Sequence, residues 1–287
     1  MIYVLTAIYN RRDTTLKFIE KIYSQTMQDF EIVVVDDAST DGSVEAIKKH
    51  FPKVKILSTK GDVFWTRTMA MGVEYIKKEA QPEDFILFAN NDHFPEKDAL
   101  EICYQTSLKY NRAVVAAAIK NSTGKIISGG HVAKWKTRTY PLIPIQENGV
   151  YDGQIDVMTG RFTLLPIEVF SKVAFDYKRF PHYLSDYDFF LQVKRAGFKM
   201  VVSYDAVSHD TGIKSGIESR IKNPTLKQAF DDAFHIKSHS NMIYMIKYLL
   251  KNCPNQYYKI KHIVLLIGFH AIKITKVAIL SPFKLVR

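Results

Sequence analysis

Residues 85–95, with the sequence FILFANNDHFP, constrain the fold of this chain more than any other stretch. An apolar run over 85–88 ends abruptly at Ala89 and gives way to a polar run over 90–93. A short apolar run bounded by polar residues predicts a buried parallel strand, and open α/β sheets bind ligands beyond the carboxyl ends of such strands. The carboxylate of Asp92, with an Asn two residues before it, suits a divalent cation that also holds phosphate oxygens. A polar turn leading into a helix is the structural alternative.

Apolar runs alternate with stretches of helical spacing over the first 120 residues. This alternation predicts an α/β fold with a mostly parallel sheet, flanked by helices and joined by right-handed crossovers. Residues 120–156 have many turn signals and predict loops and short antiparallel strands. Strands are predicted at 2–8, 30–35, 54–57, 85–88, 113–119, 157–166 and 200–207, and helices from a cap at Asp13 or Thr14 to 26 and at 44–50, 67–78, 97–110 and 186–197.

The net charge of +11 is concentrated near the C-terminus. Residues 226–287 contain ten Lys and Arg side chains but only two acidic ones, so eight of the eleven net charges lie there. A basic tail on a nearly neutral body favours an acidic partner, either anionic lipid or nucleic acid. We therefore predict a body over 1–223 and a basic helical appendage over 224–287, divided after the polar stretch 209–222.

Residues 257–280 predict a helix with a narrow polar stripe on an otherwise apolar cylinder. Its longest uncharged core, 263–272, is only half of the ~20 residues that a spanning helix needs, which favours a helix lying in the membrane interface. A helical pair packed on the body, with its lysines solvated, is the alternative. The stripe consists of Lys259, His262, His270 and Lys273.

The two cysteines, Cys103 and Cys253, provide neither a disulfide framework nor the spacing of metal ligands. They are typical of a reducing compartment, most simply the cytosol. The first residues, MIYVL, already predict a strand, so we expect no secretory signal in this sequence. Together with an interfacial helix, this predicts a cytoplasmic protein at the inner face of the cell membrane.

Polar residues also follow the first two predicted strands. Asp36 and Asp37 end the second strand, and Thr6 and Tyr9 lie at the end of the first. A carboxylate there can accept the imide N–H of uracil or thymine, and the Tyr9 ring offers a packing face, so a nucleotide pocket is plausible; an Asp-rich helix cap is the alternative. Because no Gly-rich phosphate loop occurs, Rossmann dehydrogenases and Walker-type nucleotide hydrolases are disfavoured. A diphosphate would then need a metal held by the turn at 90–92.

Two carboxylates, Asp186 and Asp188, lie at the predicted start of a helix. Both can act as capping residues that stabilise the helix dipole, and a carboxylate in this position can also serve as the general base for an acceptor hydroxyl. His209 follows the last predicted strand. A lone His is usually structural, but this one could complete the coordination of a metal held by Asp92 if the strands converge.

Taken in order, these segments resemble the family 2 glycosyltransferases of GT-A fold. The resemblance covers residues 1–212 and is closest to bacterial enzymes that build cell-surface polysaccharides, including rhamnosyltransferase-like members. It implies a GT-A catalytic domain over 1–223 and an inverting transfer of a sugar from a UDP- or dTDP-sugar to a hydroxyl of a glycan or lipid-linked acceptor. The segments that carry it are YN-R near the start, EIVVVDDASTDGS, FWTRTMAMG, FILFANND, GRFTLLPIEVF, SDYDFFLQVKRAGF and His209.

The resemblance also implies roles for single positions, with two departures from the family pattern. Asn90 stands where the metal motif begins with Asp, which weakens affinity for the expected Mn²⁺ or Mg²⁺. Ser185 stands where many members have Glu, which removes a carboxylate beside the implied base. The implied roles are nucleotide binding by Thr6, Tyr9, Asp37, Arg67 and Asn91, metal binding by Asp92 and His209, general base catalysis by Asp186, and an acceptor-side wall at Gly160, Arg161 and Asp188.

Three other interpretations stay open. A sugar nucleotidyltransferase can share a similar α/β core, but the segment 9–12 supplies charge without the glycines that such an enzyme needs. A nucleic-acid-binding protein would explain the basic tail, yet the tail's lysines alternate with long apolar residues, so we expect no nucleic acid partner. A catalytically degenerate GT-A domain that binds a donor or lipid is the third interpretation, because of Asn90. The sequence predicts no particular oligomeric state.

Overall fold

The computed structural model describes residues 1–213 and 224–280. The predicted boundary after residue 223, and the end of the predicted appendage at 281–287, therefore lie outside the described residues. Within them, the predicted alternation of strands and helices is confirmed. The elements in chain order are β1 (Ile2–Ile8), α1 (Arg12–Tyr23), β2 (Phe30–Asp36), α2 (Ser43–His50), β3 (Lys55–Ser58), α3 (Phe64–Glu79), β4 (Phe85–Ala89), β5 (His93–Pro95), α4 (Ala99–Lys109), β6 (Val114–Lys120), β7 (Ile126–Ser128), β8 (Gly130–His131), β9 (Val150–Tyr151), β10 (Val157–Met158), β11 (Phe162–Pro166), α5 (Ser185–Arg195), β12 (Met200–Asp210), α6 (Leu226–Phe234), α7 (Met242–Asn252) and α8 (Gln256–Leu280).

Ten strands form one mixed sheet in the order β3-β2-β1-β4-β11-β6-β12-β5, with β7 paired to β6 and β9 paired to β12. The first four strands run parallel to one another, and β6 is parallel to β12. β11 lies between β4 and β6 and is antiparallel to both, so one reversed strand joins two parallel blocks. This confirms the predicted mixed, mostly parallel sheet flanked by helices.

The register brings several strand ends to the same edge of the sheet. Ile8 at the end of β1 lies beside Asp36 at the end of β2. Ala89 at the end of β4, which is parallel to β1, pairs with Phe162 at the start of β11. The polar residues that follow these strands therefore share one rim, where open α/β sheets bind their ligands.

Both faces of the sheet are buried, as expected for central parallel strands. Along β1, Tyr3 and Leu5 pack into one apolar cluster, and Ile2 and Val4 pack into a second cluster on the opposite face. This follows the two-residue period of a strand. α3 packs very close to the first face, because a Cβ added at Gly72 would lie 2.2 Å from Leu5 Cδ1. A larger residue there would push α3, and the loop that leads into it, away from the sheet.

Two local predictions are wrong, and both for tertiary reasons. α1 begins at Arg12 without the predicted side-chain cap, because Asp41 in a neighbouring loop accepts a hydrogen bond from the Arg12 amide at 2.8 Å. Residues 157–166 do not form one strand, since β10 pairs with β8 while β11 joins the main sheet. The sequence also allowed a polar turn leading into a helix after β4. His93–Pro95 instead form β5, which pairs with β12, so no helix starts there.

The predicted helical appendage is confirmed as α6, α7 and α8, and it packs on the body. Tyr248 of α7 is 1% exposed and joins the first apolar cluster. Arg195 of α5 donates hydrogen bonds to the side chain and the backbone carbonyl of Asn252. Lys251 forms an ion pair with Asp188 at 2.8 Å. α7 is therefore part of the core rather than a loose addition.

α8 packs with its polar stripe inward. His262 Nε2 lies 2.8 Å from the Trp135 carbonyl oxygen, Lys273 donates to Asp232 at 2.6 Å, and His270 is buried. This is the reverse of the usual packing of a helix on a soluble protein. The outward face carries large exposed apolar side chains, namely Ile260, Val264, Leu265, Ile267, Phe269, Ile272 and Ile279.

Among the described residues, one helix is long and apolar enough by length and composition to cross a membrane. It covers Gln256–Ile279, and its most apolar window has a mean hydropathy of 1.6 with 17% of that window buried in the protein. The uncharged segment 263–272, which the sequence analysis compared with a spanning helix, is therefore shorter than the stretch that meets the length and composition of such a helix.

Candidate active site

A cavity of about 320 Å³ opens at the rim where β1, β2 and β4 end. Its volume lies at the lower end of the range of small-molecule sites. Four residues that the resemblance singled out line it: Tyr9, Asp37, Asn91 and Asp92. The structure thus brings together polar residues that follow three separate strands. The other lining residues are Ala7, Ile8, Arg11, Asp62, Phe64, Trp65, Thr68, Asn90, His182 and Lys237.

The Asp37 carboxylate organises the loop that forms one wall of the cavity. It accepts hydrogen bonds from Thr59 Oγ1 at 2.7 Å and from the amides of Val63 and Phe64 at 3.2 and 3.1 Å. Because α3 begins at Phe64, Asp37 satisfies amides that the start of this helix leaves without partners. Asp62 and Phe64 have φ angles of 55° and 59°, a strained conformation that is common in ligand-binding loops. Asp37 therefore supports this wall as well as lining the cavity.

Asp92 is held by two neighbours. Arg11 Nη1 lies 2.6 Å from its Oδ2 atom, and His93 Nδ1 lies 2.8 Å from its Oδ1 atom. Burial by itself raises the pKa of Asp92, but the hydrogen bonds and charges of His93 and Arg11 outweigh burial and lower the pKa to about 2. Asp92 is therefore ionised at neutral pH. The adjacent Asn91 donates to Thr15 Oγ1 of α1 at 2.8 Å, which fixes the turn.

The turn after β4 is tied to the start of β11. The Asn90 amide donates to the Arg161 carbonyl at 3.0 Å. Gly160 lies against the indole of Trp65, since an added Cβ would be 3.1 Å from the ring. Gly160 and Arg161 therefore lie beside the cavity, in contact with its lining residues Trp65 and Asn90.

Asp186 lies in the first turn of α5 and is not among the residues that line the cavity. Ser185 Oγ donates to the carbonyl of His182, which does line the cavity, at 3.2 Å. Burial raises the pKa of Asp186 to about 6, against the opposing effects of the Tyr187 amide and the Arg161 charge. A carboxylate with a pKa near the working pH is suited to accept a proton from a substrate.

Three more of the residues singled out by the resemblance do not line the cavity. Thr6 is fully buried in β1, and its hydroxyl has no hydrogen-bond partner within the described residues. Arg67 is exposed on α3 and lies over the ring of Tyr177 at 5.6 Å. His209 Nε2 lies 2.9 Å from Glu96 Oε1 near the surface. These three side chains lie outside the lining of the cavity, and the roles implied for them stay predictions.

The environment of Asp188 contradicts its implied place on the acceptor side. Its carboxylate is 1% exposed and accepts from Lys251 at 2.8 Å, Asn252 at 2.9 Å and Gln192 at 2.7 Å. Residues two apart on a helix point in nearly opposite directions, so Asp186 and Asp188 cannot both face the cavity. Asp188 instead joins α5 to α7.

The residues around Asp92 do not fit a divalent cation as they are arranged. Arg11 already pairs with the Asp92 carboxylate and places a positive charge beside it, Asn90 stands in place of a carboxylate, and His209 pairs with Glu96. Within 1–213 and 224–280, no group of three or more His, Cys, Asp or Glu side chains is placed to hold a metal ion. Hard cations such as Mg²⁺ need several oxygen ligands at once. The reaction proposed below for this site therefore includes no step that depends on a metal ion.

Two cations at the cavity were not singled out from the sequence as site residues. Arg11 lies in the short turn between β1 and α1, so its place after a strand was a usable signal. Lys237 belongs to the loop between α6 and α7, and its Nζ atom lies 5.5 Å from the centroid of the Tyr9 ring. No local pattern indicates that residue 237 lies beside residue 9, because only the packing of the C-terminal helices brings them together.

The model of the family described as "Glycosyl transferase family 2" matches residues 3–173, more than half of the chain. The chain belongs to this family. The matched residues contain Asp37 and Asp92 with the strands that position them, and they end before Asp186 and Lys237.

Curated relatives carry related names. A "Cholesterol galactosyltransferase" of Borreliella burgdorferi is 28% identical over 116 residues, which are 40% of this chain and 31% of that protein. A "Poly(ribitol-phosphate) beta-glucosyltransferase" of Bacillus spizizenii is 23% identical over 259 residues, covering 79% of this chain and 37% of that protein. The family 2 chain thus spans about a third of the length of these relatives.

Solved structures share the fold. S. aureus TarS 1-349 in complex with UDP-GlcNAc has a TM-score of 0.60 at 15% identity, covering 94% of this chain and 71% of that one. GalNAc-T7 with UDP, GalNAc and Mn²⁺ has a TM-score of 0.62 at 13% identity, covering 98% of this chain and 57% of that one. At these identities the likeness shows the fold alone, and it confirms the expected GT-A architecture.

Proposed function

We propose that this family 2 member is an inverting glycosyltransferase that moves a sugar from a UDP- or dTDP-sugar to a hydroxyl of a glycan or lipid-linked acceptor in cell-surface polysaccharide synthesis. The observation that carries the proposal is the convergence of Asp37 and Asp92 on one cavity at the ligand-binding rim. Asp186, at the start of the neighbouring helix, adds a carboxylate with a raised pKa. The names of the curated relatives support transfer to a polymer or a lipid.

In the proposed reaction, Asp186 takes a proton from the acceptor hydroxyl, and the hydroxyl oxygen attacks the anomeric carbon from the face opposite the nucleotide. The bond between that carbon and the diphosphate oxygen breaks. Its electron pair leaves with the nucleoside diphosphate, and the configuration inverts. With a pKa of about 6, Asp186 is a stronger base than an ordinary Asp and is still mostly ionised at pH 7.

The base of the donor is proposed to lie at Tyr9 and Asp37. The Tyr9 side chain is 51% exposed, so its ring is available as a packing face. The Asp37 carboxylate has about four lone-pair sites and uses three of them within the protein, so one acceptor site is left for an imide N–H. Uracil and thymine present such a donor, whereas cytosine presents none at that position.

Sugar transfer can be tested with radiolabelled UDP- and dTDP-sugars and a bacterial membrane fraction as the source of acceptors. We expect enzyme-dependent incorporation of label, release of the nucleoside diphosphate, and a product linkage of inverted configuration by NMR. Substrate KM values extend up to about 1 mM. A protein that binds neither UDP nor dTDP at millimolar concentration would therefore contradict the proposed function.

The outward face of α8 is proposed to bind an anionic membrane at its cytoplasmic side, where a lipid-linked acceptor would be carried. Seven large apolar side chains on this face are 45–70% exposed, and such a contiguous patch is typical of an interaction surface. The sequence contains no acidic residue after Asp232, while α8 carries the exposed Lys261 and Lys276 outside its polar stripe. Each lysine close to an anionic surface contributes roughly 1 kcal/mol to binding.

α8 is proposed to lie in the interface rather than to cross the bilayer. His262 bonds to Trp135 of the body and Lys273 bonds to Asp232 of α6, so about 16 Å of the helix is fixed along the protein at 1.5 Å per residue. Crossing the membrane in that position would carry the Lys273–Asp232 pair into hydrocarbon, where charged groups are costly. The apolar length of the helix therefore favours lateral burial among the headgroups and upper acyl chains.

Flotation with vesicles that contain phosphatidylglycerol tests this surface. The double variant Val264→Glu/Ile272→Glu is expected to lose flotation, because it places two carboxylates in the inserted face and opposes the anionic lipid. The matched control, Leu108→Glu/Ile145→Glu, has the same charge change at apolar residues of the body that are 43% and 53% exposed, and it is expected to float like the wild type. A wild-type protein that stays unbound and has the mass of a dimer would instead assign the face to a second copy of the chain.

A further inference from the structure

Lys237 lies in the loop between α6 and α7, well beyond the residues that match the family model. It nevertheless lines the same cavity as Tyr9, Asp37 and Asp92. Its Nζ atom lies 5.5 Å from the centroid of the Tyr9 ring and 5.9 Å from the centroid of the Phe64 ring. The C-terminal helices therefore contribute a cation to a site that the rest of the chain builds.

The charge of Lys237 is available to a ligand. Arg11, the other cation of the cavity, is already paired with Asp92 at 2.6 Å. Within the described residues, Lys237 contacts ring faces and no carboxylate at ion-pair distance. A ring face satisfies only part of an ammonium group, which has three N–H donors. His182 adds no charge at neutral pH, because burial, helped by the charges of Lys237 and His239, lowers its pKa to about 4.

The backbone that carries Lys237 is fixed by hydrogen bonds within its loop. The Lys237 amide donates to His235 Nδ1 at 3.0 Å. The next residue, Ser238, is buried and donates through Oγ to the Asp232 carbonyl at 2.7 Å. Because α6 and α7 also pack on α8 and the body, the ammonium is held near the cavity before any ligand arrives, which lowers the entropic cost of binding.

We propose that Lys237 binds the diphosphate of the donor nucleotide. The inference rests on the proposed function, since it takes a nucleoside diphosphate as the ligand of the cavity. A lysine ammonium is a compact point charge on a flexible stem and is a common partner of phosphate oxygens. With the base at Tyr9 and Asp37, Lys237 is the lining cation that is left for the negative diphosphate, because Arg11 is paired with Asp92. The basic C-terminal region then completes the donor site in addition to facing the membrane.

Titration calorimetry with UDP, dTDP, uridine and thymidine separates phosphate binding from base binding. Lys237→Met removes the charge and keeps most of the side-chain length. We expect it to raise the Kd of the two diphosphates about tenfold, as is typical for loss of a charged hydrogen bond, and to leave the Kd of the two nucleosides unchanged. The control Lys227→Met removes a lysine of α6 whose side chain is 88% exposed and pairs with Asp231 at the surface, and it should change neither value.

Each titration is run once with MnCl₂ and once with EDTA. A selective loss of diphosphate affinity in Lys237→Met, in either buffer, supports direct contact. Equal diphosphate affinities of this variant and the wild type overturn the inference, and so does an equal loss for diphosphates and nucleosides, which would assign Lys237 to packing on Tyr9. If the wild type binds none of the four probes in either buffer, the proposed function itself fails.

Discussion

Asp186→Asn is expected to lower kcat by about 100-fold or more, the usual effect of removing a general base. The amide cannot accept the proton of the acceptor hydroxyl, while its shape preserves the start of α5. Because Asp186 lies outside the lining of the cavity, the Kd of UDP or dTDP should stay within about twofold of the wild-type value. Turnover near the wild-type rate in this variant would remove Asp186 from the mechanism.

The pH profile provides a control for the same assignment. Asp186 must be ionised to act as a base, so kcat/KM of the wild type should fall as the pH drops below its pKa of about 6. The pKa of Asp186 is higher in the folded state than in the unfolded state. The free energy of unfolding therefore falls as the pH rises from the ordinary pKa of Asp toward 6. Asp186→Asn removes this loss, so its Tm at pH 7.5 should equal or exceed that of the wild type. A lower Tm would indicate that lost activity reflects damage to the fold.

Asp188→Ala is expected to lower the free energy of unfolding by about 3 kcal/mol, the lower end of the range for breaking a buried ion pair. The variant leaves Lys251 and Asn252 of α7 without their shared acceptor, although Lys251 keeps Asp176 at 3.0 Å. Urea denaturation followed by circular dichroism measures this loss directly. Donor affinity should be retained in the fraction of protein that stays folded.

The control for Asp188 is Asp231→Ala, which also removes one acid from a Lys–Asp pair. The Lys227–Asp231 pair is at the surface with a distance of 3.3 Å, and such i,i+4 pairs contribute only about 0.3–0.5 kcal/mol. A wild-type unfolding curve for Asp188→Ala, together with a raised KM for the acceptor, would restore the acceptor-side role that the resemblance implied.

Much of the sheet and part of the proposed nucleotide site could be predicted because their signals are local. The apolar run at 85–88 and the polar run after it identify a strand end, and the same pattern occurs before Asp37. Parallel strands bring their carboxyl ends to one edge, so a general rule of topology was enough to place Asp37 and Asp92 near each other. The same rule could not separate Asp186 from Asp188, since both lie at one helix start and only their packing partners differ.

By itself, the sequence determined the α/β fold, the strand ends that carry the acidic residues, and the helical, basic nature of the C-terminal region. These features depend on hydrophobic period and on residues adjacent in the chain. Tertiary structure alone decided which neighbours these residues meet: Arg11 pairs with Asp92, Lys237 lies beside Tyr9, and the polar stripe of α8 faces inward, with His262 on Trp135. The reason is physical, because the same amphipathic helix can bury either face until the rest of the protein supplies polar partners for one of them.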